Sequence, residues 1–360
     1  MSKNHLLQNL AYLIIVIIGL LWLLSVGASV ILPFIFATFF AIFLYPIDRF
    51  VLDKIHIQWL SIVLTYLSIL TPIFIIVGLF YLQVTNIIES LPAIGETLKQ
   101  GLDQVLGKAQ EKAPFLKLDR DKILSSSTMS GPLNIISQGI ISTTGILAAS
   151  ALTFIYSFFI LYYRKSFKRF IIYQFKKSSR LDIKETLTEI KETIQSYIRG
   201  LGIVMIILSV LNTLGLYIIG IDYPLFWGIL GGILAIVPYV GTMIGGLLPF
   251  LYAMATTDQT WQPVAVITYY FLIQQIEGNF ITPKIVGDKV NINPLVAILS
   301  LIFFGSFWGV AGILLGLPII SIVRIIFSQF ENTKPIALLM SSNVHEKSEK
   351  FKSLAEAKSS

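Results

Sequence analysis

Cysteine is absent from the 360 residues, and histidine occurs only at His5, His56 and His345. No disulfide, thiolate nucleophile or cysteine-ligated metal can form within such a chain, and three scattered imidazoles do not make a ligand set. Charge is scarce as well: Asp, Glu, Lys and Arg make up 13% of the residues, against roughly 25% in soluble domains. No G-x-x-x-x-G-K-[ST] cradle for ATP phosphates and no H-E-x-x-H metal-binding pair occurs, and Ser306 has no histidine partner in the apolar runs. These gaps argue against an enzyme and against any cofactor other than a coupling H⁺ or Na⁺.

What the chain has in abundance is apolar length. Hydrophobic residues reach 55%, mean hydropathy is +0.79, and several runs exceed the ~18 residues that span a bilayer. The pattern predicts an all-α polytopic integral membrane protein partnered by the lipid bilayer. The net charge of +7 gathers beside apolar runs, where Lys and Arg set orientation, so it is read as topology and not as a nucleic-acid footprint.

The run from Leu10 to Leu44 is too long for one span at ~1.5 Å per residue; Ser25, Gly27 and Pro33 predict two helices joined by a short turn. With a third span from Trp59 to Val84 they make residues 1–85 the amino-terminal membrane helices. A basic start and an A-x-A-like site are missing, which predicts a retained anchor and not a cleaved signal. Residues 86–138, with six Lys/Arg and six Asp/Glu, predict a small extramembrane helical subdomain, and residues 139–163 return to the membrane. Residues 164–199 carry ten Lys/Arg against four Asp/Glu, which predicts a cytoplasmic loop. Within it Ile183, Leu187, Ile190, Ile194 and Ile198 recur on one helical face, the pattern of an interfacial amphipathic helix. Residues 331–360 read as a polar cytoplasmic tail, and both termini are expected inside.

Between Gly200 and Phe330 the ionisable acids and bases are Asp222, Asp258, Glu277, Lys284, Asp288, Lys289 and Arg324. Asp222 and Asp258 flank apolar runs and are expected to cap helices. Glu277 lies inside an apolar segment, where a carboxylate costs about 2.5–3.5 kcal/mol on insertion scales and normally faces a bundle interior, a cavity or a partner. At helical spacing Gln274 and Glu277 share one face, and Gln275, Asn279 and Thr282 another. These five residues are the candidate path for a coupling ion or a small polar solute. The alternative role for Glu277 is a structural contact that locks helices, either an intramembrane hydrogen bond or an ion pair with Lys284 or Arg324.

Two apolar runs in this region, 223–257 and 290–323, would reach about 50 Å as straight helices. Each opens on a proline, Pro224 or Pro294, and carries a second one, Pro249 or Pro318; Pro283 interrupts the chain between them. Their uncharged midpoints contain Pro238, Gly241 and Gly245 in the first and Gly305, Gly309 and Gly312 in the second. We read Pro238 and these glycines as the turns of two re-entrant or broken-helix hairpins and the other five prolines as helix breaks. With one span between them the hairpins form an inverted repeat, for about eight membrane segments in all, and residues 200–330 become the core in which such repeats place substrate and ion.

The chain resembles the autoinducer-2 exporter, or PerM-like, family of bacterial permeases. The resemblance rests on Leu32-Pro33-Phe34, Tyr45-Pro46, Pro238-Tyr239-Val240-Gly241, Glu277-Gly278-Asn279 with Pro283, Asn293-Pro294-Leu295, and Trp308-Gly309 with Gly312 and Pro318, and it covers nearly the whole chain. It implies a secondary transporter of the bacterial inner membrane that exports small molecules, the quorum-sensing signal autoinducer-2 in some members, with Na⁺/H⁺ exchange in others. It also implies a homo-oligomer, a pentamer, with an elevator-like moving part. The orientation has a direct check: a cysteine introduced at Gln104 should react only from the extracytoplasmic side, and labelling only from the cytoplasm would reverse the topology.

Overall fold

The computed structural model of the chain describes residues 3–81, 83, 143–175, 180–237, 240–257, 259–282, 284–285 and 290–342. Among these the secondary structure is helical, with no strand. In chain order the helices are α1 (Lys3–Val26), α2 (Ala28–Ile55), α3 (Gln58–Tyr81), α4 (Thr143–Tyr162), α5 (Arg164–Tyr173), α6 (Arg180–Ile219), α7 (Pro224–Leu234), α8 (Val240–Thr256), α9 (Trp261–Ile276), a π-helical turn (Glu277–Ile281), α10 (Pro294–Ser328) and α11 (Lys334–Met340). The expected 86–138 subdomain and the 343–360 part of the tail lie outside the described residues.

Four of the described helices are by length and composition long and apolar enough to cross a membrane, Ala28–Ile55, Gln58–Tyr81, Asp182–Ile219 and Pro294–Ser328, the last of which turns back on itself at Gly309. A fifth span results if Leu147–Tyr162 and Arg164–Tyr173, bent by 68° at their junction, are taken together. Large apolar side chains such as Phe34, Phe74 and Ile302 are exposed along these helices, as lipid-facing surface requires.

One expectation about helix ends holds and two change. The turn between α1 and α2 is a single residue, Gly27: its N–H bonds Leu23 O at 2.8 Å, and Ile31 N–H bonds Gly27 O at 2.9 Å, so helical hydrogen bonding runs through it. Pro33 lies inside α2, Pro249 inside α8 and Pro318 inside α10, so none of the three ends its helix. Membrane helices tolerate interior proline because neighbouring groups and local adjustment re-satisfy the freed carbonyl, and Pro249 and Pro318 are fully buried against such neighbours. Finally, Gly200 does not separate a loop helix from a span; α6 passes through it unbroken for 40 residues. The apolar stripe on the first part of α6 is turned onto protein: Ile194 is buried and Gln195 Nε2 donates to Ile42 O at 2.8 Å.

Pro224 and Pro294 do start helices, each in the first turn where the missing N–H has no intrahelical partner to lose. At α10 the cap is Asn293, whose Oδ1 accepts from Val296 N–H at 2.9 Å while its Nδ2 donates to Leu339 O at 2.6 Å, tying α11 to the start of α10. At α7 the N-cap is Tyr223, with no side-chain cap bond, so Asp222 does not cap it.

The chain forms two compact units: one of Met1–Thr65, Gly145–Gln195 and Val290–Ser360, the other of Tyr66–Thr144 and Ser196–Lys289. Each contains one helical hairpin. In the second unit α7 doubles back into α8. A Cβ on Gly241 would lie 1.6 Å from Leu234 O, and one on Gly245 would lie 2.9 Å from Gly231 Cα, so residues 234 and 241, then 231 and 245, face each other in antiparallel register. In the first unit α10 reverses at Gly309, whose φ of 58° and ψ of −136° suit only glycine. Past that point a Cβ on Gly312 would meet Phe304 O at 1.8 Å and one on Gly316 would meet Ser300 O at 3.2 Å. The 35-residue element is therefore two antiparallel arms, not one straight rod.

Gly309 and Gly312 are needed for different reasons, and replacement separates them. Gly309→Ala faces open space and should cost about 1–3 kcal/mol through backbone strain alone. Gly312→Ala meets backbone and should lower the thermal midpoint of the purified protein further. Gly202→Ala, in open space within α6, should be neutral or slightly stabilising; equal midpoints for all three would refute the hairpin packing.

Candidate functional site

In the second unit α7 packs against α6 through glycine. Added Cβ atoms would strike Thr213 Oγ1 from Gly228 and Ser209 Oγ from Gly232, each at 2.1 Å, so small residues let the two backbones approach closely. Gly246 lies against the Tyr270 ring of α9, at 2.8 Å from an added Cβ. Between these contacts sits Gly231. A Cβ there would be 3.0 Å from Asn212 Nδ2 and 3.3 Å from Tyr270 OH, so an amide from α6 and a phenol from α9 converge over the bare Cα of the hairpin. Asn212 is 3% exposed and Tyr270 8% exposed. Asn212 Oδ1, Tyr270 OH and the nearby Trp227 Nε1 are buried without a hydrogen-bond partner among the described residues. Leaving such an atom unpaired costs about 1–3 kcal/mol. An apolar cluster that includes Leu216, Phe226, Trp227, Tyr252 and Val266 encloses the same region.

The Glu277 segment lies at the end of α9, on the π turn. There the chain closes i to i+5: Thr282 N–H bonds Glu277 O, and Thr282 Oγ1 donates to Glu277 Oε1. Helical spacing had grouped Thr282 with Gln275 and Asn279; the extra residue in a π turn moves it onto Glu277 instead. Asn279 does remain on Gln275, donating from Nδ2 to its backbone O at 2.8 Å and its Oε1 at 3.3 Å. Glu277, Gln274 and Thr282 are half-buried, while Gln275 and Asn279 are exposed. The structural ion pair considered for Glu277 is not found among the described residues: Lys284 makes none, and Arg324 pairs with Glu189 at 3.4 Å. Pro238, Pro283 and Asp258 lie outside the described residues.

Sequence reasoning missed the Asn212–Tyr270 cluster, which no spacing rule relates, and a second polar cluster as well. In the first unit Asp48 is completely buried and pairs with Arg164. Its Oδ1 accepts from Ser61 Oγ at 2.7 Å, and the same hydroxyl is 2.9 Å from Asp48 O. Arg164 had been counted only as a topology charge. The available signal was Asp48 itself, the first acid in the chain, set at the end of a long apolar run.

With this geometry in place, comparison with known proteins is decisive. The sequence profile of the family described as AI-2E family transporter matches residues 10–332. The chain belongs to the AI-2E transporter family. Among relatives, YrrI of Bacillus subtilis, provisionally named a transport protein, is 24% identical over 84% of this chain and 87% of its own. A protein of Haemophilus influenzae with the same provisional name is 25% identical over 94% and 97%. PerM of Escherichia coli, provisionally named a permease, is 29% identical over 38% of each chain. Membership makes this a membrane transport protein by family, and the Asn212–Tyr270 and Glu277 groups fall within the matched region.

The Asp48–Arg164 pair should act as a clasp between α2 and the start of α5. Removing one partner of a buried pair costs about 3–5 kcal/mol because the other is left uncompensated. Asp48→Ala should therefore lower the thermal midpoint strongly, and Asp48→Asn combined with Arg164→Gln should recover part of the loss; a double-variant loss equal to the sum of the Asp48→Asn and Arg164→Gln losses would show that the two groups act independently.

Proposed function

We propose that the protein is a secondary transporter that moves a small polar solute across a bacterial inner membrane, driven by an H⁺ or Na⁺ gradient. The observation that carries this reading is the pair of buried, unpartnered groups, Asn212 Oδ1 and Tyr270 OH, over the glycine of a helical hairpin. In hydrocarbon such atoms would otherwise stay unsatisfied, and transporters place broken helices and free polar groups where a solute or ion supplies the missing bonds. The solute site is accordingly the Asn212–Gly231–Tyr270 cluster. Glu277 is the coupling group: it is an ionisable side chain in an apolar segment, held by Thr282 and without a cation partner among the described residues.

On this reading the two hairpins enter from opposite faces as an inverted repeat, bringing the membrane segments to about eight. Both termini are cytoplasmic, the transport direction is outward, and the working form is a homo-oligomer, a pentamer by family resemblance.

Purified protein in liposomes, with proton and sodium gradients and a panel of small polar solutes, tests the assignment. Tyr270→Phe and Asn212→Leu should cut transport at least about tenfold while leaving the thermal midpoint unchanged or raised, because an atom with no partner in the fold contributes nothing to stability. Glu277→Gln should insert and assemble normally yet fail to accumulate solute against its gradient, and Glu277→Asp should keep part of the activity with altered ion dependence. Gradient-driven accumulation by Glu277→Gln ends the coupling role; normal transport with a lowered midpoint in Tyr270→Phe makes that cluster structural.

A further inference from the structure

A cavity of about 510 Å³ lies wholly within the first unit among α2, α4, α5 and α6. Five cations line it: Arg49, Arg164, Lys165, Lys168 and Lys191; Asp53 is the one acid among the lining residues. Arg164 is neutralised by Asp48, which leaves four cations facing one carboxylate. None of those four makes an ion pair among the described residues. Tyr45 is flanked by two of the positive groups, Arg164 and Lys191 each lying 5.2 Å from its ring centroid. The remaining wall is aliphatic, with Ile42, Leu161, Ile171 and Ile190 beside the charges.

Cations at one end and hydrocarbon along the side match an anionic amphiphile, not a free ion. The position agrees. α4 ends at Tyr162 and Tyr163, the aromatic signature of the membrane–water boundary. There the chain bends by 68° into α5, which bears Arg164, Lys165, Lys168 and Arg169 with exposed Phe167 and Phe170, the composition of an interfacial helix. Basic pockets between membrane helices at this depth take lipid phosphate.

We infer that this cavity is a binding site for an anionic phospholipid, the headgroup phosphate resting among Arg49, Lys165, Lys168 and Lys191 and an acyl chain lying along Ile42, Leu161 and Ile171. The inference is independent of the solute site. Arg164 is the fixed wall of the pocket, because its buried pair with Asp48 and Ser61 holds the guanidinium in place.

The test is native mass spectrometry of the purified full-length protein titrated with phosphatidylglycerol or phosphatidylcholine, with inorganic phosphate alone as a third arm. Wild type should retain phosphatidylglycerol in preference to phosphatidylcholine. Each cation removed should weaken that binding on the order of fivefold, so Arg49→Gln, Lys168→Gln and Lys191→Gln together should weaken it on the order of a hundredfold. Arg49→Gln alone, at an exposed position, gives the single step if the triple variant does not fold. Lys54→Gln, on the same helix but not lining the cavity, should leave the preference intact. A triple variant with undiminished phosphatidylglycerol binding, or an equal loss on Lys54→Gln, overturns the site. Saturable binding of inorganic phosphate that competes with the lipid overturns the amphiphile and assigns the pocket to a soluble anion.

Discussion

A peptide group placed in hydrocarbon has no water to bond, and an unsatisfied N–H or C=O there costs several kcal/mol. The organisation of this chain follows from that constraint. Its described secondary structure is helical, Pro33, Pro249 and Pro318 are absorbed within helices and buried by neighbours, and α10 reverses at one non-helical residue. At Gly309 a single residue leaves helical geometry; at the described ends of the α7–α8 junction Val237 N–H bonds Leu234 O and Gly241 N–H bonds Val237 O. Antiparallel arms this close need bare Cα atoms where they meet, and Gly231, Gly241, Gly245 and Gly312 supply them.

The same constraint sorts the buried polar side chains into two groups. Asp48, Arg164 and Ser61 satisfy one another and hold one unit together. Asn212, Tyr270 and Trp227 in the other unit are also buried but lack partners for their Oδ1, OH and Nε1 atoms among the described residues. A fold that completes one network and leaves the other open is more easily understood if the open one is completed by something that comes and goes. Glu277 belongs to a third situation, a half-buried carboxylate on a π turn with a neutral hydroxyl donor, so that its charge is not cancelled by a cation among the described residues.

Charge outside the hydrocarbon carries two roles at once. The Lys and Arg after α4 read as an orientation signal in the chain, and in three dimensions four of them join Arg49 around one cavity. An orientation signal needs only to be near the membrane; a cavity needs α2 and α6 to bring Arg49 and Lys191 to the same place.

Composition and periodicity were enough for the all-helical membrane class, for the helix starts at Pro224 and Pro294, and for the glycine reversals near 241 and 309, because these are local properties of apolar runs with breakers. The i to i+4 pair of Gln275 and Asn279 was legible for the same reason. The sequence alone did not distinguish a proline that ends a helix from one that a helix absorbs, as at Pro33, Pro249 and Pro318, since the decision rests with the neighbours that bury it. Nor did it place Thr282 on Glu277, which needed the register change of a π turn. Asp48 and Arg164, 116 positions apart, and Asn212 and Tyr270, 58 apart, met only through helix packing. Side chains that far separated are related by no spacing rule, and tertiary structure alone decided which of them were paired and which were left open.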